Sequence, residues 1–166
     1  METDNPSSKL YIQDFMEGNI CFGCGKDNPE GLQIKSFWQG DLCICLWSSQ
    51  PRYQGWKNLM NGGILATLID CHSMGTALSQ AYRSEQRAYE TEPVYKYATG
   101  TMQIKYLKPT PNNQTIELKA KILEVKGRKT TVFCEAWVGG LKTAEAEVIA
   151  IRVFDSSQPQ ADSAFQ

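Results

Sequence analysis

Residues 59–78, LMNGGILATLIDCHSMGTAL, decide the fold because they form a long segment that is apolar over most of its length. Asn61 is a strongly preferred residue at a helix N-cap, and Gly62 and Gly63 would then occupy the first turn. The apolar pattern continues to about Arg83, which predicts a single helix from Gly62 to Arg83. A helix that is apolar around most of its circumference must be buried around most of it, so the rest of the chain has to enclose this one.

Strand patterns flank this helix on both sides. Before it, LQIKSFWQ and DLCICLWS are predicted strands, joined by a hairpin turn at Gln39-Gly40-Asp41. The order of elements predicts an α+β fold in which an antiparallel curved sheet wraps around one long central helix. After the helix, RSEQRAYETEPVYKYATG (residues 83–100) is predicted to be a polar connection. The four strands expected after it are TMQIKYLKP, QTIELKAKIL, TTVFCEAWV and LKTAEAEVIAIRVF, with turns at Gly127-Arg128 and Gly139-Gly140.

Alternation within these strands predicts which side chains share a face. In the second and third strands after the helix, one alternating set is apolar and is expected to face the core. Those inward residues are Ile116, Leu118, Ala120 and Ile122 in one strand and Val132, Cys134, Ala136 and Val138 in the next, while Met102, Ile104 and Tyr106 share one face of the strand before them.

The 166 residues, 42% hydrophobic and 21% charged, predict one domain at residues 21–154. Residues 1–20 are expected to be a partly mobile N-terminal segment and residues 155–166 a disordered tail. The formal charge of −1 and the lack of a basic block argue against nucleic acid as a partner. No apolar run reaches the roughly 18 residues of a transmembrane helix, and the acidic start METDNPSSKL does not resemble a secretory signal. We therefore expect a cytoplasmic protein with no membrane partner.

Six cysteines raise the question of a metal or a disulfide. Cys21 and Cys24 form a C-x-x-C, and Cys43 and Cys45 form a C-x-C, so four thiolates could surround zinc. The second pair argues against this, because DLCICLW alternates apolar residues with these cysteines as a strand buried on both faces does. Cysteine is among the most buried residue types, so core thiols and no metal are the favoured interpretation.

Asp70 is a carboxylate inside the apolar helix. Its neighbours three and four positions away are Ala66, Thr67, Ser73 and Met74, so no cation on the helix can pair with it. Burial without a partner should raise the pKa of Asp70, because desolvation disfavours the charged form. A carboxylate with a perturbed pKa near dipolar donors is a candidate catalytic group.

The glycines at the helix start are candidates for those donors. N–H groups in the first turn have no intrahelical acceptor, and at Gly62 and Gly63 no β-carbon obstructs them, so they could stabilise negative charge on a carbonyl oxygen. Capping by Asn61 alone would also explain these residues. Gly62 and Asp70 are about 12 Å apart along the axis, too far for both to contact one carbonyl. Two antiparallel helices from two subunits would bring them together, which predicts a site at a dimer interface.

Three segments carry a resemblance to a known family. NGGILATLIDCHSMGTA, YLKPTPNNQTIELKAKILEVKGRKTTVFCEAWV and TAEAEVIAIRVF resemble the hotdog-fold acyl-CoA thioesterases of the PaaI and 4-hydroxybenzoyl-CoA thioesterase type. The preceding CFGCGKDNPEGLQIKSF is similar to the cysteine- and glycine-rich stretch of the thioesterase-superfamily branch of that group. The resemblance runs from about Cys21 to Phe154 and implies a hotdog fold.

The resemblance also implies an activity and a site. Members are homodimers, often paired into homotetramers, and hold an acyl-CoA thioester across the subunit seam, with no metal and no cofactor beyond the coenzyme A of the substrate. Their motif is H-G-G followed by a carboxylate eight residues after the first glycine, which corresponds to Gly62, Gly63 and Asp70. The first glycine N–H polarises the thioester carbonyl, and the carboxylate of the other subunit attacks the carbonyl carbon or activates water.

The chain departs from this motif at one position, and some other family site residues have no certain counterpart in the sequence. Asn61 stands where the family has histidine, and it is expected, with Gln54, to orient water or the thioester. The family amide in the preceding loop, which orients water or thioester, corresponds best to Gln54 and second to Asn58, and a serine or threonine that supports water in some members has no clear match. The expected substrate-binding residues are Asn58, Trp56, Lys108 and Arg128; Phe37, Trp47 and Tyr53 are further aromatic candidates for the acyl pocket that are as well explained by packing.

The sequence also allows functions other than hydrolysis. A hotdog dehydratase or hydratase would need a catalytic histidine, and His72, the sole histidine, is about 200° around the helix from Asp70 and is favoured as a core residue. A protein that binds acyl-CoA without turnover is the other alternative, kept open by Asn61. A cysteine nucleophile at Cys71 is disfavoured, because no histidine or lysine is placed to lower its pKa. The acyl group itself is not specified by these motifs.

Overall fold

The computed structural model describes residues 9–159 and 163–165. The expected mobility of residues 1–8 and the expected disorder of residues 160–162 and 166 fall outside the described residues. These described residues form one α-helix, α1 (Gly62–Ser84), and six strands, β1 (Ser36–Gln39), β2 (Leu42–Ser48), β3 (Tyr95–Tyr106), β4 (Thr115–Lys126), β5 (Lys129–Val138) and β6 (Leu141–Asp155). They also include short 3-10 helices at Ile12–Phe15, Pro51–Tyr53 and Ser163–Phe165.

α1 begins where its cap residue predicts and ends one residue beyond the expected Arg83. Asn61 has extended backbone angles and its side-chain oxygen accepts from the first turn, which is the geometry of an N-cap. Within the described residues, no helix is both long enough and apolar enough to cross a membrane. The helix is buried along most of its length, as its composition requires, through Leu65, Leu68, Ile69, His72, Thr76, Ala77, Leu78 and Tyr82 among others.

The six strands form one antiparallel sheet in the order β1-β2-β4-β5-β6-β3. α1 packs against β3, β4, β5 and β6. The predicted architecture, a curved antiparallel sheet around a single long helix, is therefore confirmed. β1 and β3 form the two edges, and β3 is by far the longer edge strand, with 12 residues against 4.

The hairpin between β5 and β6 shows how local chemistry sets the register. Val138 pairs directly with Leu141, so Gly139 and Gly140 are the two residues of the turn. Both have positive φ, of 55° and 80°. A two-residue turn with two left-handed positions matches the twist of the strands and requires glycine or a similar residue at each, as predicted.

Two strands differ in length from the prediction. β1 begins at Ser36 rather than near Leu32, because the Leu32 N–H bonds to the carbonyl of Phe22 in the N-terminal loop. β3 begins at Tyr95, inside a stretch predicted as a polar connection, because this half of the strand pairs with the end of β6, where Tyr95 lies opposite Asp155. The pairing partner is 60 residues away in sequence, which a local pattern cannot show.

The faces of the strands agree with alternation except in β2. The expectation that β2 is buried on both faces is wrong, because Leu42 and Leu46 are 39% and 54% exposed. The helix covers one face of the sheet, and on the outer face of β2 only Ile44 is buried. The inward residues of β4 and β5 are confirmed as buried at Ile116, Leu118, Ala120, Val132, Cys134, Ala136 and Val138, whereas Ile122 is half-buried.

His72 is a satisfied core residue, as favoured from the sequence. It is fully buried, with Nε2 3.1 Å from the Cys43 carbonyl oxygen and Nδ1 2.7 Å from Ser36 Oγ. Because a carbonyl only accepts, Nε2 carries the proton and Nδ1 accepts from the Ser36 hydroxyl. Gln13 completes the network, donating to Ser36 Oγ and accepting from the Ser36 N–H at 2.6 Å. Burial lowers the pKa of His72 from 6.5 to about 4.

We expect His72 to make the fold less stable in acid. Between about pH 6.5 and pH 4 the unfolded chain binds a proton at His72 that the folded chain excludes, so stability present at neutral pH is lost as the pH falls. The free energy of unfolding should decrease by about 2 kcal/mol between pH 7 and pH 5. Urea unfolding of wild type and His72→Gln at both pH values measures this. An equal decrease in the variant would contradict the assignment.

Candidate functional site

The start of α1 presents one backbone donor that is not used within the fold. Asn61 Oδ1 accepts from the N–H groups of Gly63 at 2.8 Å and Ile64 at 3.2 Å. In the described part of the chain, nothing accepts from the Gly62 N–H, and Gly62 is exposed. This N–H lies at the positive end of the helix dipole. The structure therefore separates the two predicted donors: the Gly63 N–H is engaged and the Gly62 N–H is available to a ligand.

Tyr106, at the end of β3, holds this helix start in place. Its hydroxyl donates to the Gly62 carbonyl at 2.8 Å, and its ring lies 3.6 Å from the position that a β-carbon on Gly62 would take. Burial raises the pKa of Tyr106, so the hydroxyl remains a donor at neutral pH. Sequence alternation assigned Tyr106 only to a strand face and gave no sign of this contact.

The loop before α1 is folded against the helix start and carries the two candidate amides. Gln54 Oε1 accepts from the Asn58 N–H at 3.1 Å, and the Asn58 carbonyl accepts from the Asn112 N–H at 2.9 Å. Asn58 has a φ of 64°, a left-handed angle that asparagine tolerates better than most residues. Gln54 and Asn58 therefore support each other and shape the loop, and Gln54 is exposed.

The aromatic candidates divide into exposed and packed residues. Trp56 is 82% exposed at the tip of this loop. Trp47 is 6% exposed, stacks near Tyr53 with ring centroids 5.3 Å apart, and donates from Nε1 to the Leu32 carbonyl. Phe37 lies edge-on to a tyrosine ring of the N-terminal segment. Of these residues, only Trp56 is free to contact a ligand with most of its surface.

Asp70 is half-buried, and Thr99 of β3 donates a hydrogen bond to its Oδ1. Among the described residues, no cation forms an ion pair with Asp70. Burial raises the pKa of Asp70, the Thr99 hydrogen bond lowers it, and the charge of Cys21 raises it further. The expected upward shift is thus present. Thr99 is a residue that sequence reasoning missed, because it lies 29 positions downstream in a stretch expected to be a connection.

Both halves of the predicted site lie along the edge strand. Tyr106 contacts Gly62 near one end of β3, and Thr99 contacts Asp70 nearer the other end. Gly62 and Asp70 remain eight residues apart on one straight helix, or about 12 Å along its axis. One protomer therefore does not bring the Gly62 N–H and the Asp70 carboxylate to a single carbonyl.

Lys108 and Arg128, the two basic candidates, lie at opposite ends of the sheet. The Lys108 N–H bonds to the Thr143 carbonyl, and the Arg128 carbonyl accepts from the Arg152 N–H. Thr143 and Arg152 are nine positions apart on β6, about 30 Å of extended strand. Both cations are exposed, and the structure does not bring them together within one protomer.

A cluster of thiols adjoins Asp70. Cys21 and Cys24 lie with Cys71, all three sulfur atoms being within 4.8 Å of one another. Cys43 and Cys45 are not part of this group; burial raises the pKa of each to about 12. The four-thiol grouping considered from the sequence is therefore not formed. A hydrogen bond from Cys71 lowers the pKa of Cys21 to about 5, which accounts for its effect on Asp70.

A surface cleft of about 510 Å³ lies elsewhere, near the C-terminal end of α1. It is lined by Trp38, Asp41, Arg83 and Lys121 among others. Arg83 lies over the Trp38 ring, 3.9 Å from its centroid, and so closes part of the cleft. The cleft contains neither Gly62 nor Asp70, and we do not assign it to the chemistry.

The chain is similar to known proteins in sequence and in structure. A family model described as Thioesterase superfamily matches residues 57–145, which contain α1, the edge strand and β4 and β5. The chain is also similar to a solved thioesterase superfamily protein from Shewanella loihica, with 32% identity and a TM-score of 0.58 over 72% of this chain and 90% of that one. No curated protein matches the chain in sequence.

Two further solved structures share the fold at lower identity. The Escherichia coli PaaI protein from the phenylacetic acid degradation operon has 13% identity and a TM-score of 0.61 over 75% of this chain and 82% of that one. The protein smu.793 from Streptococcus mutans, solved bound to acetyl CoA, has 14% identity and a TM-score of 0.60 over 74% and 90%. The predicted hotdog fold is confirmed by these neighbours.

Removing the cap oxygen should destabilise the helix start. Asn61→Ala deletes the acceptor for two N–H groups, so we expect the free energy of unfolding to fall by about 1 kcal/mol. Asn61→Asp keeps an oxygen in the same place and should stay within about 0.5 kcal/mol of wild type. Urea unfolding at pH 7 measures both variants, and an equal loss in the two would contradict the capping role.

Proposed function

The chain belongs to the thioesterase superfamily, and on that basis we propose that it hydrolyses an acyl-CoA thioester to the free acid and coenzyme A. The observation that carries this proposal is the pairing of a free Gly62 N–H at a helix start with a half-buried Asp70 of raised pKa. Thioester hydrolysis needs both a donor for the developing oxyanion and a group that delivers oxygen to the carbonyl carbon. The acetyl CoA bound by the Streptococcus mutans neighbour supports a CoA thioester as the ligand class.

In this proposal Gly62 supplies the oxyanion donor. Its N–H lies at the positive end of α1 and its carbonyl is tied to Tyr106, so the peptide is oriented before substrate arrives. Gly63, the second predicted donor, already gives its N–H to Asn61. A β-carbon on Gly63 would lie 3.0 Å from Asn61 Oδ1, so glycine at this position leaves room for the cap. The Asn61 side-chain oxygen is used by the cap, and its amide nitrogen is the atom that would contact water or the thioester.

Asp70 supplies the reactive oxygen or the proton acceptor. As a general base it removes a proton from water, the water oxygen attacks the carbonyl carbon, and the carbon–sulfur bond breaks as coenzyme A leaves and takes up a proton. As a nucleophile its carboxylate attacks the same carbon, the carbon–sulfur bond breaks and coenzyme A leaves as a thiolate. Water then hydrolyses the acyl-aspartate anhydride to the free acid and the Asp70 carboxylate, and the proton released is taken up by coenzyme A. In either route Thr99 is a positioning residue, because its hydrogen bond fixes one carboxylate oxygen and leaves the other free.

The site needs two subunits in this proposal. The Gly62 N–H and Asp70 are about 12 Å apart on one helix, whereas each must come within about 3 Å of one carbonyl. β3 is a 12-residue edge strand with unpaired backbone groups along its outer side, and such an edge is a template for pairing with another chain. An antiparallel homodimer through β3 places the helix start of one protomer opposite the middle of the other. Pairing of two dimers into a tetramer is a further expectation.

The same pairing suggests how coenzyme A is bound. Lys108 lies at the helix-start end of the sheet and Arg128 at the far end, and antiparallel pairing brings the far end of one protomer beside the helix-start end of the other. Cations from two protomers could then contact the phosphates of one coenzyme A. Trp56, Asn58 and Gln54, in the loop before α1, would contact the thioester end.

Binding without turnover is a second candidate, favoured by one observation. Asn61 stands where the resembling family has histidine, and its side-chain oxygen is committed to the helix cap. A hydratase or dehydratase finds less support, because His72 is fully buried and both of its ring nitrogens are hydrogen-bonded. Measuring both thioester hydrolysis and binding affinity with the same set of acyl-CoAs distinguishes hydrolysis from binding without turnover.

Asp70→Asn should abolish turnover while leaving the fold intact. The amide keeps the shape but neither removes a proton nor forms an acyl intermediate, so we expect kcat to fall by about 10²- to 10⁴-fold. Since burial of the charged form is unfavourable, stability should be unchanged or higher. Assay against short, long and aromatic acyl-CoAs, with affinity and thermal unfolding in parallel, tests this. Unfolding of both Asp70→Asn and Asp70→Ala would show that the role is structural.

Gly62→Pro isolates the proposed oxyanion donor. Proline lacks the N–H, is favoured at the first helical position, and requires an extended preceding residue, which Asn61 already is. Gly62→Ala keeps the N–H and places its β-carbon at an ordinary 3.6 Å from Tyr106. We expect both variants to fold, with kcat lowered about 10²- to 10³-fold only in Gly62→Pro. Equal activity in the two variants would exclude this N–H from catalysis.

A further inference from the structure

The loop of residues 19–25 is folded tightly against the middle of α1. The Gly25 N–H donates to the Cys21 carbonyl at 2.8 Å, closing a turn across the C-x-x-C. A β-carbon on Gly25 would lie 2.5 Å from the Cys21 backbone, and one on Gly23 would lie 2.5 Å from Cys71 Sγ. Because real β-carbons do not approach this closely, glycine at both positions is what allows the turn to sit on Cys71.

Three sulfur atoms converge at this contact. Cys21 Sγ is 3.9 Å from Cys71 Sγ, and Cys24 Sγ lies within 4.8 Å of both. With zinc–sulfur bonds of about 2.3 Å, two sulfurs of a tetrahedral site are about 3.8 Å apart. The three sulfurs are thus spaced close to three corners of such a tetrahedron. A disulfide would use only two of them and leave the third without a role.

The groups around the sulfurs are hydrogen-bond donors. The Gly23 N–H points to Cys21 Sγ at 3.3 Å, and Asn19 Nδ2 lies 3.5 Å from Cys24 Sγ. Donors of this kind orient metal-bound thiolates and stabilise their charge. Cys24 and Cys71 are buried, whereas Cys21 is half-buried and leaves a route from solvent.

We propose that Cys21, Cys24 and Cys71 bind one zinc ion through three thiolates, with water in the fourth position. Soft thiolate ligands in tetrahedral spacing favour zinc among common cellular divalent ions. On binding, three zinc–sulfur bonds form and the protons of those thiols that still carry one are released to solvent. This ligand set differs from the Cys21, Cys24, Cys43 and Cys45 set, which the alternation of DLCICLW disfavours.

The zinc ion would tie the N-terminal loop to α1 at the residue after Asp70. Because binding occurs only when Cys71 of the helix meets the C-x-x-C turn, its free energy adds to the stability of the folded chain. None of its ligands contacts the substrate in the proposed hydrolysis, although the charge of Cys21 contributes to the raised pKa of Asp70. Metal binding is measured directly and does not depend on thioester hydrolysis.

Cobalt(II) titration of the full-length, chelator-treated and reduced protein tests the site. Tetrahedral cobalt bound to thiolates gives a sulfur-to-cobalt charge-transfer band whose intensity follows the number of cobalt–sulfur bonds. We expect one cobalt per chain with this band, its loss on addition of zinc, and a higher thermal unfolding temperature with zinc than without.

Matched alanine variants decide which thiols take part. Cys71→Ala and Cys24→Ala should each lower cobalt affinity at least about tenfold and weaken the band by about a third. Cys45→Ala, which removes a buried thiol outside the cluster, should leave the cobalt affinity and the intensity of the band unchanged. Circular dichroism shows whether each variant is folded. If Cys71→Ala does not fold, the cobalt affinity and band of Cys24→Ala test the proposal. A wild type without the band at excess cobalt, or a band that neither cluster variant weakens, would overturn the proposal.

Discussion

Burial of α1 is the constraint on which the other features depend. The helix is apolar around most of its circumference, so the sheet must supply the surface that covers it, and its first turn then emerges beside the loop of residues 51–60. A helix is also a rigid spacer. Once Asn61 caps its start, the Gly62 N–H points outward there and Asp70 lies about 12 Å further along, at a distance that no side-chain rotation can close. The proposed need for a second subunit follows from this fixed spacing.

Features set by local chemistry could be predicted from the sequence. The cap at Asn61, the two-residue turn at Gly139-Gly140 and the alternation of β5 each depend on residues within a few positions of one another. Features set by long-range pairing could not. The first half of β3 looks like a polar connection until it pairs with the end of β6, and the exposure of Leu46 depends on what lies over the outer face of the sheet.

The same division applies within the candidate site. Asp70 and Gly62 stand out because each is unusual for its own segment of helix. Thr99 and Tyr106, which hold them, are ordinary strand residues that gain a role only because β3 runs beside α1. The sequence disfavours Cys71 as a nucleophile, and the 50-residue separation between Cys71 and Cys21 hides its contact with the C-x-x-C. Asp70 and Cys71, adjacent in sequence, turn about 100° apart on the helix, so one faces the edge strand and the other faces the N-terminal loop.

The central claim, that one site takes its donor from one subunit and its carboxylate from the other, is tested most directly by a heterodimer of two inactive variants. Gly62→Pro and Asp70→Asn chains carrying different affinity tags can be co-expressed and the mixed dimer isolated by both tags. Such a dimer holds one site with both groups intact and one with neither, so it should recover about half of the wild-type activity. A pure heterodimer as inactive as its two parent homodimers would contradict the account, because both groups would then act within one protomer.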